Sequence, residues 1–165
     1  MKRVAVVAVL VAVAVAAWVW WRGDERRIVR ALERLESACE KEGEEGPLAL
    51  ISRTQTILDS FASGFLVSGR PYAGAIDDPR ELAAVIHRYR ASSDRVGVGH
   101  RELELELGPN RTAEMSAVFV VDGVRGARPA RESFRARLFW VEHEGEWRIR
   151  EVEVVERLER SGLFN

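Results

Sequence analysis

The chain of 165 residues has a single cysteine, Cys39, so it forms no intrachain disulfide and offers no cysteine-based zinc site. Lysine is nearly absent. Lys2 and Lys41 are the only two, and every other basic side chain is an arginine, a bias of the kind a GC-rich genome imposes. Positive charge is not in surplus either. The formal net charge is −1, and residues 1–23 hold Lys2, Arg3 and Arg22 with no acid, so the remainder carries −4. That balance excludes the electrostatic footprint of a nucleic-acid binder. The three histidines never stand as H-x-x-x-H, and neither G-x-S-x-G nor a glycine-rich phosphate loop occurs. No internal repeat and no low-complexity segment follows residue 23. Hydrophobic residues make up 47%, which is enough for a real core and excludes a disordered chain.

What is present is clearest near the C-terminus. Four stretches alternate apolar and polar residues: Arg101 to Leu107, Arg111 to Val121, Arg131 to Glu142 and Trp147 to Glu156. Gly108-Pro109-Asn110, the run from Asp122-Gly123 to Pro129, and Glu144-Gly145-Glu146 separate them. Alternation of this length predicts strands with one buried face. Leu103, Leu105 and Leu107 share that face, as do Ala113, Met115, Ala117, Phe119 and Val121, then Phe134, Ala136, Leu138 and Trp140. In the last strand Trp147 and Ile149 alternate before the phase slips to Val152 and Val154, which predicts a β-bulge and a bent strand. Glu102, Glu104 and Glu106 form a carboxylate row on the other face. Arg135 and Arg137, or Arg148 and Arg150, would answer it as cross-strand ion pairs.

The preceding residues read as helix. Asp24 is expected to cap a first helix whose apolar face is Ile28, Leu32, Leu35 and Cys39. Glu42-Gly43-Glu44-Glu45-Gly46 is a polar break, and Pro47 suits the first turn of a second helix running to about Ser60, with Leu50, Ile57 and Phe61 on one side. Phe65 to Val67 reads as a short strand. Asp78, Pro79 and Glu81 start a third helix with Leu82, Val85, Ile86 and Tyr89 as its buried stripe. Gly97 and Gly99 read as punctuation between that helix and the sheet. Helices first and strands second predict an α+β domain over residues 24–165, a curved antiparallel sheet with three N-terminal helices on its concave side.

Residues 1–23 read differently. Val4 to Trp21 is a run of 18 residues without charge, preceded by Lys2 and Arg3 and ending in Trp18, Trp20 and Trp21. Its length is near the minimum for a spanning helix, and clustered tryptophans suit the lipid–water interface. The expectation is one uncleaved transmembrane signal anchor in the bacterial inner membrane. The alternative is a cleaved signal with its site at Ala12-Val13-Ala14 or Ala14-Val15-Ala16. No cysteine follows closely, which argues against a lipoprotein. The basic start favours a cytoplasmic N-terminus and a periplasmic domain, whereas Arg22, Arg26, Arg27 and Arg30 count for the reverse.

The order of helix, helix, short strand, helix and four long strands resembles the nuclear transport factor 2-like (cystatin-like, SnoaL-like) superfamily. The closing segment Glu144-Gly145-Glu146-Trp147-Arg148-Ile149 resembles the last hairpin of that family, where a Gly-x-Trp-x-Ile phrase recurs. The resemblance covers roughly Asp24 to Arg157 and implies a cone of sheet closed by helices. The superfamily includes isomerases, dehydratases, epoxide hydrolases, transport factors and many non-catalytic domains, so it fixes no activity. Its catalytic members carry a carboxylate, tyrosine or histidine set in the cone, and no such set maps onto this sequence.

Individual residues add little chemistry. Cys39 reads as a small core residue, with no partner to make it a nucleophile. His87 reads as a boundary residue, His100 as solvent-side, and His143 as part of a solvated turn among glutamates. Tyr72, Trp140 and Trp147 are the aromatics expected near the cone's mouth or floor, where they would line a ligand site if there is one. No catalytic residue, metal or cofactor is assigned. The expected role is a membrane-anchored, non-catalytic interaction or assembly domain of the cell envelope. Its expected partners are the membrane through residues 4–21 and a second copy or an envelope protein through the sheet. The alternative is small hydrophobic-ligand binding or acid–base catalysis in the cone.

Overall fold

The computed structural model describes residues 23–69, 74–125 and 128–160. Helix α1 covers residues 23–39 and is followed by the two-residue strand β1 (Lys41–Glu42), α2 (Pro47–Asp59), β2 (Phe61–Gly69) and α3 (Pro79–Ala91). The long strands β3 (Arg95–Gly108), β4 (Thr112–Arg125), β5 (Arg128–His143) and β6 (Glu146–Arg160) complete the described chain. One six-stranded sheet has the order β1-β3-β4-β5-β6-β2. All neighbours are antiparallel except β2 and β6, which run parallel from Leu66 opposite Glu151 to Gly69 opposite Val154. The architecture is therefore α+β, a curled sheet packed against helices.

The predicted strand faces appear in the core. Ile28, Ala31 and Leu32 of α1 pack on Ala113, Met115, Ala117, Phe119, Ala136, Leu138, Trp140, Trp147 and Ile149, with Leu103, Leu105, Leu107 and Val152 beside them. A smaller cluster of Val96, Val121 and Ala130 meets Tyr89, Val98 and Phe134. The slip in β6 is real, and two more register shifts follow it along β5 and β6, at Arg135/Ala136 and Ser133/Phe134. Each extra residue on one strand adds local twist and bends the pair, and three in succession curl this side of the sheet around α1.

Several boundaries differ from expectation. The helix already includes residue 23, so Asp24 lies inside it and pairs with Arg27 at 3.2 Å instead of capping. Asp78 does cap α3, accepting from the Arg80 N–H at 2.7 Å. Within α3 Val85 is 43% exposed and leaves the predicted stripe, because α3 lies at the margin of the sheet and buries only Leu82 and Arg90. The short strand predicted at Phe65 to Val67 extends over Phe61–Gly69, since parallel pairing with β6 gives its backbone partners. Gly97 and Gly99 lie within β3 rather than before it. On the convex face Arg135 reaches Glu102 at 2.9 Å, an ion pair expected of the carboxylate row, whereas Arg137 turns to Glu153 at 2.6 Å, outside that row. Val4 to Trp21 lies outside the described residues. Among the described residues no helix is long and apolar enough to cross a membrane.

Trp140 is 1% exposed. Trp140→Ala is expected to cost roughly 3–5 kcal/mol in chemical denaturation, while Glu104→Ala on the solvated face stays within about 0.5 kcal/mol; equal losses would refute the face assignment. Gly69 has φ +117°, and a Cβ there would meet the Val154 backbone, with its nitrogen at 2.6 Å. Gly69→Ala should therefore lower stability beyond the roughly 1–3 kcal/mol of a strained backbone alone, read as a fall in the denaturation midpoint.

Candidate functional site

Polar side chains gather at one end of the concave face, and a bulge in β3 puts the first of them there. The register shifts between Arg101 and Glu104, with Glu102 at φ 54°. Upstream of the bulge the inward parity is Val96, Val98 and His100, and downstream it is Leu103, Leu105 and Leu107. His100 thus faces inward, correcting its expected place on the solvent side. Its neighbour in register is Phe119, which lies beside Phe134, which lies beside Arg157. These four residues make one row across β3, β4, β5 and β6.

The middle of the row is aromatic. The Phe119 and Phe134 rings stack with centroids 5.9 Å apart and planes at 25°. On one side of them His100 Nδ1 lies 2.8 Å from Glu36 Oε1 on α1. On the other side Arg157 Nη2 lies 2.6 Å from Glu132 Oε1. Glu132 is 2% exposed and shares the inward parity of Ala130 and Phe134. Burial pushes the Glu36 carboxyl above the usual carboxylate range, against the opposing hydrogen bond and charge of His100. A histidine within hydrogen-bond distance of a half-buried carboxylate is the raw material of acid–base chemistry. The Glu132 carboxylate, by contrast, faces a guanidinium at ion-pair distance, though the alignment gives neither Glu132 Oε1 nor Arg157 Nη2 a hydrogen bond.

Parity carried a signal for one of these groups that the sequence reading left unused: Glu132 falls on the inward phase of Phe134 and Ala136. Arg157 and His100 could not be read in this way, because a register shift separates each from the apolar run that sets the inward phase of its strand. Of the aromatics expected to line a site, Trp140 and Trp147 lie together on the concave face beneath α1, and both indole nitrogens are buried without a hydrogen-bond partner. Tyr72 lies outside the described residues. His87 contacts the Thr54 hydroxyl at 3.1 Å between α3 and α2, and His143 is exposed at the end of β5. Burial pushes the Cys39 thiol up to about 11, so it stays protonated and unreactive at neutral pH. Among the described residues no three His, Cys, Asp or Glu side chains converge to hold a metal ion.

The helices that carry Glu36 and Tyr89 are pinned by Arg90. From α3 its guanidinium donates to the carbonyls of Ala38 and Cys39 at 3.0 Å, of Glu40 at 2.9 Å, and to Glu45 Oε2 at 2.9 Å. Lys41 returns the contact, donating to the Arg90 and Ser93 carbonyls at 2.9 and 2.6 Å. Arg53 of α2 adds a bond to the Ser37 carbonyl at 2.8 Å. The hydrogen bond from Arg90 holds the Glu45 carboxyl below the usual carboxylate range.

No family model matches the chain, and no curated protein is similar to it in sequence. Solved structures do resemble it. A nuclear transport factor 2-like protein with a cystatin-like fold from Novosphingobium aromaticivorans superposes with a TM-score of 0.67 at 15% identity, over 92% of this chain and 95% of that one. The fold is cystatin-like. A protein of unknown function from Mycobacterium tuberculosis also gives a TM-score of 0.67, at 13% identity over 87% of this chain and 76% of its own. A candidate scytalone dehydratase from Novosphingobium aromaticivorans gives 0.65 at 10% identity, over 83% and 85% of the two chains. At these identities the likeness extends to the fold alone.

Because Glu45 is depressed in the folded state, its contribution to stability is present above the unfolded carboxylate pKa of about 4.3 and is lost as pH falls through its lower folded value. Glu45→Gln should therefore melt below the wild type at neutral pH, with the gap closing toward the acid limit of the fold. A gap that does not change with pH would break the link to Arg90.

Proposed function

We propose that the domain is a non-catalytic interaction or assembly module held at the bacterial cell envelope by Val4 to Trp21. The observation that carries this reading is the occupancy of the concave face. Ile28 and Leu32 of α1 pack directly onto Met115, Trp140 and Ile149, all at most 1% exposed. Side chains of the chain itself thus fill the concave face beneath α1. The ionisable groups nearby answer one another, Glu36 with His100 and Glu132 with Arg157. An enzyme would need such a group turned toward a reactant. The anchor rests on the 18-residue uncharged run with its basic start and terminal tryptophans, and the same features favour a periplasmic domain. The fold and the sheet's broad convex face are compatible with a partner protein or a second copy.

One observation favours a second reading, in which the polar end of the cone binds a small ligand or performs acid–base chemistry. It is the His100–Glu36 pair bordering the stacked Phe119 and Phe134 rings. A neighbour described as a candidate scytalone dehydratase shares the fold, which admits that reading without favouring it.

Two measurements test the proposal. Protease added to spheroplasts should digest the domain while a cytosolic control survives, and the membrane fraction should contain the peptide spanning Trp21. Protection of the domain would reverse its orientation, and a mature N-terminus at Val15 or Ala17 would replace the anchor with a cleaved signal. In a deletion strain, the double variant Glu36→Gln/His100→Asn should restore the wild-type phenotype. If that variant is folded and as abundant as the wild type yet fails to complement, the acid–base reading takes over.

A further inference from the structure

One flank of α1 carries Arg27, Arg30, Arg34 and Ser37, spaced so that they form a single stripe beside the buried face. This stripe, with Gly145, Glu146 and Trp147 at the start of β6, walls a cleft of about 740 Å³ that also includes Glu33. Positive charge there is only partly used. Arg27 meets Asp24 at 3.2 Å and donates to the Gly145 carbonyl. Arg30 bonds the Arg26 carbonyl at 3.1 Å, and among the described residues neither Arg30 nor Arg34 pairs with a carboxylate. Of the two acids in the cleft, Glu146 is held by Arg148 at 3.1 Å. Glu33 is the acid left to oppose the arginines. Trp147 borders the cleft from the core side, its indole N–H buried without an acceptor.

The position of the cleft says what kind of anion would reach it. The bond from Arg27 to Gly145 sets the β5–β6 turn at the N-terminal end of α1. The uncharged run Val4 to Trp21 ends two residues before the described part of that helix. At 1.5 Å per residue, Arg27 and Arg30 lie about 6 and 10 Å from residue 23 along α1, and Arg34 about 16 Å, so the first two fall near the Debye length of about 8–10 Å and Arg34 closes the far end of the cleft. On the anchored reading given above, these guanidiniums stand at the level of lipid headgroups, where anionic lipids attract basic residues. Guanidinium binds phosphate oxygens through paired N–H donors. We propose that this cleft binds the phosphate of an anionic phospholipid headgroup, with Arg30 and Arg34 as its ligands and Arg27 fixing the wall.

The test uses the full chain in nonionic detergent micelles, titrated by calorimetry with short-chain phosphatidylglycerol, short-chain phosphatidylcholine and inorganic phosphate. Saturable binding of phosphatidylglycerol is expected, with the other two at least about tenfold weaker. The double variant Arg30→Gln/Arg34→Gln should weaken phosphatidylglycerol by about tenfold or more, and Glu33→Gln should strengthen it. All three residues are exposed, and matching thermal melts would show that the variants fold. Equal binding of the two lipids, phosphate binding as tight as phosphatidylglycerol, or an unchanged double variant would each overturn the proposal. Fractionation of cells separates this from the anchor: a membrane-bound chain without lipid selectivity removes the cleft alone, whereas a soluble full-length chain removes the anchored reading.

Discussion

Five N–H donors on one guanidinium hold the helical layer of this fold together. Arg90 is 2% exposed, and its donors are spread over the last carbonyls of α1 and the Glu45 carboxylate. A helix end leaves its final carbonyls without partners, and a cation there also opposes the negative end of the helix dipole. Here α3 supplies the cap for α1, and Lys41, just beyond α1, caps α3 in return. Neither helix end is satisfied unless the other is in place. The position of Glu36 relative to His100, and of Tyr89 relative to Phe134, follows from that mutual constraint. Lysine could not replace Arg90, since an ammonium has three donors radiating from one point and cannot span three carbonyls and a carboxylate.

Much of this was legible along the chain, and the exceptions have definite causes. Alternation located the inward faces of β3 to β6 because those faces are apolar and lie under one helix. It failed wherever an extra residue entered a strand. Glu102, in a left-handed conformation, has no residue type that would announce a bulge, so His100 was placed on the wrong side. Arg157 lies beyond the successive shifts in β5 and β6, and no periodic argument survives them. Glu132 is a different case, since its parity was readable and only its chemistry made an inward position unexpected. Arg90 could not be found from its own helix, because what buries it is the end of α1, some fifty residues away. Asp24 fits the pattern of a cap residue, yet the helix already includes residue 23, which the local pattern did not show.

The convex face shows how a charged surface can still cover an apolar side chain. Arg101, Val118 and Arg135 are neighbours in register on three adjacent strands. The Arg135–Glu102 pair spans the central strand, and Val118 beneath it is 0% exposed. Exposed ion pairs contribute little by themselves. Their aliphatic stems, however, exclude water from a side chain that strand geometry would otherwise leave open. The same stems give any partner on this face a polar surface with apolar ground beneath it.

The parallel pairing of β2 with β6 has a consequence for how the molecule comes into being. Every other long pairing joins strands that follow one another in the chain, whereas β2 waits for a partner roughly eighty residues downstream. During synthesis the helices and the meander from β3 to β5 can form as they emerge, but β2 keeps an unmatched edge until β6 is made. Closing so long a loop is entropically slow, and an open strand edge is a template for the wrong neighbour. By this topology the closure of β2 onto β6 comes last in synthesis, and until then Phe61–Gly69 keeps an open edge.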